Sequence, residues 1–193
     1  MKSATVGLAA SLLALALTAC GGSGNSSEAS GSSTSSTATE QLLTENGLAG
    51  LSGKAVVEKL DATNDDRGGA LMGSVTPAQV TLAAGSDEVS LPLDEFYLAV
   101  APYATQTHEC FNHNVTTCQG ELADKDVAVT ITDDAGTVLV DDTVTTQPNG
   151  FAGFWLPKDI TGTIEVRYAG RQASAPISTG ADDPTCLTTL KLV

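Results

Sequence analysis

The stretch "DVAVTITDDAGTVLVDDTV", residues 126–144, decides the fold. Val127, Val129 and Ile131 alternate with small or hydroxylated residues, a period of two that suits a half-buried strand. Asp133, Asp134, Ala135 and Gly136 then supply a turn, and "TVLVDDTV" resumes the strand pattern. The same texture continues downstream. "QPNG" is a turn, "FAGFWLP" a strand, "GTIEVRYA" and "QASAPIS" two more strands about the turn "GR", and "TCLTTLKLV" a last strand. Short runs rich in Val, Thr and Ile, with turns recurring about every ten residues, describe an antiparallel sandwich or small barrel. Phe151, Phe154 and Trp155 are read as a common core plug.

Upstream of residue 105 the pattern is mixed. "ALMGSV", "AQVTLAA", "EVSLPL" and "EFYLAVAPY" read as strands. Before them, Leu42, Leu43, Leu48 and Leu51, then Val56, Val57 and Leu60, suit two short amphipathic helices broken at residues 50–53, and "NDDRGG" suits a loop. The expected fold is therefore an α+β N-terminal unit, residues 40–104, followed by an all-β antiparallel sandwich-like unit, residues 105–193. The linker between them is placed at 102–108.

The chain opens on "MKSATVGLAASLLALALTAC", one lysine and a short apolar run that reads as an export signal, residues 1–20. Leu17, Thr18, Ala19 and Cys20 resemble the lipobox of bacterial lipoproteins, which would make Cys20 a lipidated first residue and tie the chain to a membrane. Residues 21–39, almost wholly Ser, Gly, Thr and Ala, read as a solvated tether with a span of about 25 Å. After removal of the leader, 8 basic residues face 23 acidic ones, a formal charge of −15. Such a field repels nucleic acid and gathers cations, though a solvated acidic surface that keeps an exported protein soluble is the favoured account of it.

The chemistry lies in the cysteines. With Cys20 spent on lipid, Cys110, Cys118 and Cys186 remain, an odd number in an oxidising compartment where structural cysteines pair. Both histidines of the chain, His108 and His113, flank or fall within the Cys110 to Cys118 loop. Two readings stand. One is a single bridge with a spare thiol; the other, which the odd count favours, is three thiolates converging on a soft ion, with the last strand laid beside an early one. Three thiolates suit Cu(I), whereas adding His113 or His108 resembles a Cys3His zinc site. Glu109, Glu121, Asp182 and Asp183 are hard oxygen ligands, read as solvated or as partners of a histidine nitrogen. Oxidation of two thiols to a bridge also releases two electrons, enough to reduce two Cu(II) ions.

"HECFNHNVTTCQGEL" (108–122), "VTITDDAGTVLVDDTV" (129–144), "NGFAGFWLP" (149–157) and "DPTCLTTLKL" (183–192), with "LMGSVTPAQVTL", "EVSLPL" and "FYLAVAPY" upstream, together resemble the CueP family of periplasmic copper-binding proteins. The resemblance implies copper binding outside the cytoplasm, copper tolerance, supply of copper to a copper-dependent superoxide dismutase, and a two-domain, dimerising fold. It further implies that Cys110, Cys118 and Cys186 bind copper and reduce Cu(II), with His113 close by. Asn114 departs from the expected pattern, which has Ser after the histidine. From other classes, a thiol-disulfide enzyme is disfavoured by the lack of a Cys-x-x-Cys pair, and an interaction module stabilised by one bridge remains a further alternative.

Overall fold

The computed structural model describes residues 31–63 and 70–193. The expected export signal, Cys20, the first part of the tether and the "NDDRGG" loop lie outside the described residues. Two helices come first, α1 (Gly31–Glu45) and α2 (Gly53–Asp61). Eleven strands follow: β1 (Met72–Val75), β2 (Gln79–Ala84), β3 (Asp87–Pro92), β4 (Phe96–Val100), β5 (His113–Asn114), β6 (Asp126–Asp133), β7 (Val138–Thr145), β8 (Ala152–Leu156), β9 (Thr161–Tyr168), β10 (Arg171–Ser178) and β11 (Cys186–Leu187). Helices followed by mainly antiparallel sheets are the α+β then sandwich order expected from the sequence. Helix α1, however, starts inside the stretch read as coil. Its C-terminal end is anchored by buried Leu42, and once a helix is nucleated each added residue costs little, even Ser or Thr. Ser52 caps α2 by accepting the Ala55 N–H at 3.2 Å.

The strands form three sheets, ordered β3-β2-β1-β5, β11-β4-β8 and β10-β9-β6-β7. The expected hairpin at 126–144 is β6 paired antiparallel with β7, with Gly136 at φ 86° in the turn. Ala169 and Gly170, both at positive φ, close the β9–β10 hairpin, the conformation that matches strand twist in a two-residue loop. Pro176 interrupts donation only on β10, an outer strand.

Strand β4 organises the whole. All five of its residues are buried, because its two faces serve different cores. Tyr97 and Ala99 join α2, β1, β2 and β3 in a first core with Val56, Val57, Leu60, Val75, Val80 and Leu82. Phe96, Leu98 and Val100 join β6, β9 and β10 in a second core with Val127, Val129, Ile131, Ile164 and Val166. The short sheet is thus the middle layer. Its other strands obey the same alternation: Cys186 of β11, with Phe151 just before β8, belongs to the first core, and Phe154 and Leu156 of β8 to the second. Phe151, Phe154 and Trp155 therefore do not form one plug. Trp155 sits at the rim, packed at a tilt of 47° against Tyr97 with ring centroids 4.6 Å apart and donating to Glu58 at 3.1 Å.

The sheets also exchange strands across the position read as the linker. β4, from before it, pairs with β8 and β11 from after it, and β5, from after it, pairs with β1. The middle sheet includes one parallel pairing, Cys186 with Ala99 and Leu187 with Val100, which brings the end of the chain back to its first half.

Gly153 of β8 leaves the space that the Tyr97 ring fills; a Cβ there would stand 2.7 Å from Tyr97 Cε2 and overlap the phenol beyond it. Gly153→Ala is expected to lower stability by about 1–3 kcal/mol through overpacking, read from urea unfolding, whereas Gly170→Ala, with open space around it, is expected to show only local turn strain and no change in Tyr97 fluorescence.

Candidate metal centre

The loop from residue 104 to 122 is held at several points before it presents any ligand. Glu121 Oε2 accepts the backbone N–H groups of Ala104 (2.8 Å), Thr105 (2.9 Å) and Gln106 (3.2 Å), and Oε1 accepts the Thr105 hydroxyl at 2.6 Å. These donors hold the Glu121 carboxyl at about 2, well below the ordinary carboxylate range. Glu121 is thus a loop clip. Further along, Asn114 Oδ1 accepts from Thr116 N (3.0 Å), Thr117 N (3.1 Å) and Thr116 Oγ1 (2.8 Å), forming the turn that carries the chain back to Cys118. An asparagine oxygen one bond farther out than a serine hydroxyl makes these contacts at the position where Ser was expected.

His113 lies on the two-residue strand β5, its backbone opposite Val75, and its N–H donates to Thr185 Oγ1 at 3.0 Å. Thr185 in turn donates to the Val75 carbonyl at 2.6 Å. The next residue, Cys186, enters β11, and its N–H donates to the Phe111 carbonyl at 3.1 Å. Sheet β3-β2-β1-β5 and the middle sheet therefore meet where the ligands stand.

Cys110, His113, Cys118 and Cys186 each place one donor atom in a group whose members all lie within 4.8 Å of one another. Cys110 and Cys186 are joined in a disulfide with Cα atoms 5.6 Å apart, and Cys118 is the free thiol, its Sγ 3.7 Å from Cys110 Sγ. Where the odd count favoured three converging thiolates, the three sulfurs do converge, but in this structure two of them are oxidised to each other. His113 Nδ1 is 3.8 Å from Cys186 Sγ. His113 and Cys186 are buried, Cys110 and Cys118 half-buried, so the centre is reached from the side of the two loop cysteines. His108 stands apart, exposed and beside Phe151 with ring centroids 6.2 Å apart. Of the acidic residues singled out in the sequence, Glu109 and Asp182 are exposed and Asp183 caps Gly180 N at 2.6 Å.

The carboxylate that does face the imidazole is one the sequence reading did not pick. Asp61, at the end of α2, accepts from His113 Nε2 at 2.8 Å and from Asn149 Nδ2 at 2.7 Å through Oδ1, while the Tyr97 hydroxyl donates to its Oδ2. One signal was available. Val56, Val57 and Leu60 define the buried stripe of α2, and Asp61 falls on it, four residues after Val57. Burial alone would raise the Asp61 carboxyl, but the donors from His113, Tyr97 and Asn149 reverse this and hold it below its ordinary value. Burial likewise opposes charge on His113, yet the Asp61 carboxylate and the Cys118 sulfur outweigh it and push the imidazole up to about 9. Tyr97 is driven up by burial and by the negative charge of Asp61.

A buried imidazole, three sulfurs and a fixed carboxylate behind the ring form a group of soft donors, set between two sheets, that could hold a metal ion. The family comparison agrees: residues 55–191 match the model of the "Periplasmic copper-binding protein CueP" family, and this chain belongs to that family. A solved structure described as "Crystal Structure of S.CueP" is 41% identical, with a TM-score of 0.77, and the match covers 80% of this chain and 96% of that one. No curated protein matches. Among the described residues no helix is long and apolar enough to cross a membrane.

The raised His113 value has a defined consequence for stability. The histidine of the unfolded chain titrates near 6.5, so its pairing with Asp61 stabilises the fold fully below that pH and loses this effect as pH rises through about 9. The bridged protein is expected to show a falling urea midpoint between those limits, with the His113 Cε1–H resonance titrating near 9; a midpoint that is flat there, with the resonance moving near 6.5, would contradict the pairing.

Proposed function

We propose that this chain is an exported copper-binding protein that captures copper, reduces Cu(II) to Cu(I) with its thiols, and serves copper tolerance or copper delivery. The gathering of Cys110, Cys118, Cys186 and His113 around one point carries the reading, and membership of a family described as periplasmic and copper-binding supports it. Thiolates are soft, polarisable ligands that match Cu(I), and a site of three sulfurs needs no oxygen ligand. The reducing step balances within the chain: the Cys110 and Cys186 thiols lose two protons and two electrons, form their bridge, and convert two Cu(II) to two Cu(I). Cys118 stays reduced beside them and, with His113 Nδ1, remains to hold the product. On this reading the bridged arrangement is the centre after reduction.

The lipobox-like residues 17–20 support lipid on Cys20 and a place at the outer face of the cytoplasmic membrane or in the periplasm. A copper-dependent superoxide dismutase as recipient and a homodimer as the assembly are what the family resemblance suggests. Zinc is the alternative ion, because three cysteines and one histidine also make a tetrahedral set. The Cys110–Cys186 bridge favours one further reading, a disulfide-stabilised module that ties β11 to the 104–122 loop without any metal.

Anaerobic titration of the fully reduced chain with Cu(I) against a competing chelator is expected to give one tight equivalent, weakened more than 100-fold in the Cys110→Ser, Cys118→Ser, Cys186→Ser triple variant. Equal affinity in that variant sinks the copper reading, and zinc found after native purification replaces it. Added Cu(II) is expected to yield two Cu(I) per Cys110–Cys186 bridge formed, with no such two-electron yield from the Cys110→Ser, Cys186→Ser double variant. A bridge that is complete in protein taken from cells, and that neither thiol reductant nor copper alters, selects the metal-free module.

A further inference from the structure

We propose that Asp61 is the positioning residue of the sulfur cluster: by accepting the Nε2 proton of His113 it fixes Nδ1 as the lone-pair atom that faces the sulfurs and takes the metal. An imidazole offers two nitrogens, either of which can carry the proton, and a half-turn about Cβ–Cγ would put a carbon where each nitrogen stands. Here the choice is made by geometry, since Nε2 lies 2.8 Å from Asp61 Oδ1 and Nδ1 lies 3.8 Å from Cys186 Sγ on the opposite side of the ring. A carboxylate can only accept, so the nitrogen facing it must carry the proton and the other must carry the lone pair when the ring is neutral.

Asp61 is itself held on three sides. Tyr97 occupies Oδ2, and Asn149 Nδ2 reaches both Oδ1 at 2.7 Å and the Asp61 carbonyl at 3.2 Å. Its backbone ends α2, whose Val57 and Leu60 are locked in the first core. Phe151, 4.6 Å from the imidazole between ring centroids, closes one face of the ring. The ring is therefore wholly buried, held by Asp61 on one side and facing the sulfurs on the other. A carboxylate behind a metal-bound imidazole also raises the basicity of the ligand nitrogen, and losing such a partner commonly costs 10–100-fold in affinity. This inference rests on the reading that the cluster binds a soft metal, and the test separates the two.

Reduced full-length chain loaded with one equivalent of Cu(I) is examined by 15N-edited NMR of the histidine rings. Nδ1 of His113 is expected to shift on coordination while Nε2 keeps a slowly exchanging proton; coordination through Nε2 in the unaltered chain overturns the proposal whether or not any variant folds. Asp61→Ala is expected to lose about 10–100-fold in Cu(I) affinity, and Asp61→Asn, which keeps an acceptor oxygen, to retain Nδ1 coordination. In a His113→Ala background, Asp61→Ala is expected to change affinity no further; an equal loss in both backgrounds would show a purely structural role and refute it. Binding of Cu(I) that needs the cysteines but is indifferent to His113 would overturn the inference and leave the copper reading standing, whereas no Cu(I) binding by the unaltered chain ends both.

Discussion

The Asp61 carboxylate is buried with donors from three separate parts of the chain around it: the Tyr97 hydroxyl from β4, the His113 imidazole from β5, and the Asn149 amide from the segment that leads into β8. A buried charge is tolerated only where such partners replace its lost water. Helix α2, the sheet that contains β5 and the middle sheet are consequently bound to one point. If the sheet that carries His113 drew back, the carboxylate would lose its charged partner in the first core, a penalty of about 3–5 kcal/mol for typical buried pairs. The same constraint delivers His113 to the sulfurs, so the stability of the fold and the geometry of the centre rest on one group.

The middle sheet explains why that point lies near a cysteine from the far end of the chain. Because β4 buries both faces, it cannot sit at a surface: α2 and β1–β3, earlier in the chain, cover one face, and β6, β9 and β10, later in it, cover the other. β11 joins it in parallel, with Cys186 opposite Ala99. Period-two alternation then directs Cys186 to the same face as Ala99 and Tyr97, toward α2 and His113, and Leu187 to the opposite core. The sheet of β6, β7, β9 and β10 contributes no ligand. Its part is to seal the other face of the middle layer, so that the apolar side of β4 is satisfied without drawing on the residues of the centre.

Local patterns carried most of the architecture. The hairpins of β6 with β7 and β9 with β10 were legible because their turns sit between alternating runs, and alternation is a property of neighbours in sequence. The division of labour within "FYLAV" was not, since a continuous apolar run records burial on both sides without saying against what. Phe151, Phe154 and Trp155 misled for a related reason: adjacent aromatics look like one cluster, yet successive residues of a strand point to opposite faces. The residue types of the centre were visible in Cys110, His113, Cys118 and Cys186, whereas their meeting required the β11–β4 pairing, which spans half the chain. Asp61 was hidden by its neighbours "NDD", where an acid on the apolar stripe of α2 blends into a polar loop.

The third cysteine of the centre gains a physical sense from the geometry. A pair would suffice to pass two electrons, but its oxidation would leave no soft ligand beside the ion it had just reduced. With Cys110 and Cys186 bridged, Cys118 still stands 3.7 Å from the bridge and His113 still points Nδ1 toward it. One sulfur and one nitrogen therefore survive at the site in the oxidised state, and all three sulfurs are offered in the reduced one. On the proposed reading, affinity for Cu(I) rises and falls with the bridge, while β5, the Asn114 turn and β11 are held by bonds that do not involve the bridged sulfurs: His113 N–H to Thr185, Thr116 N–H to Asn114 Oδ1, Asn114 N–H to the unbridged Cys118 Sγ at 3.4 Å, and the β11–β4 pairing.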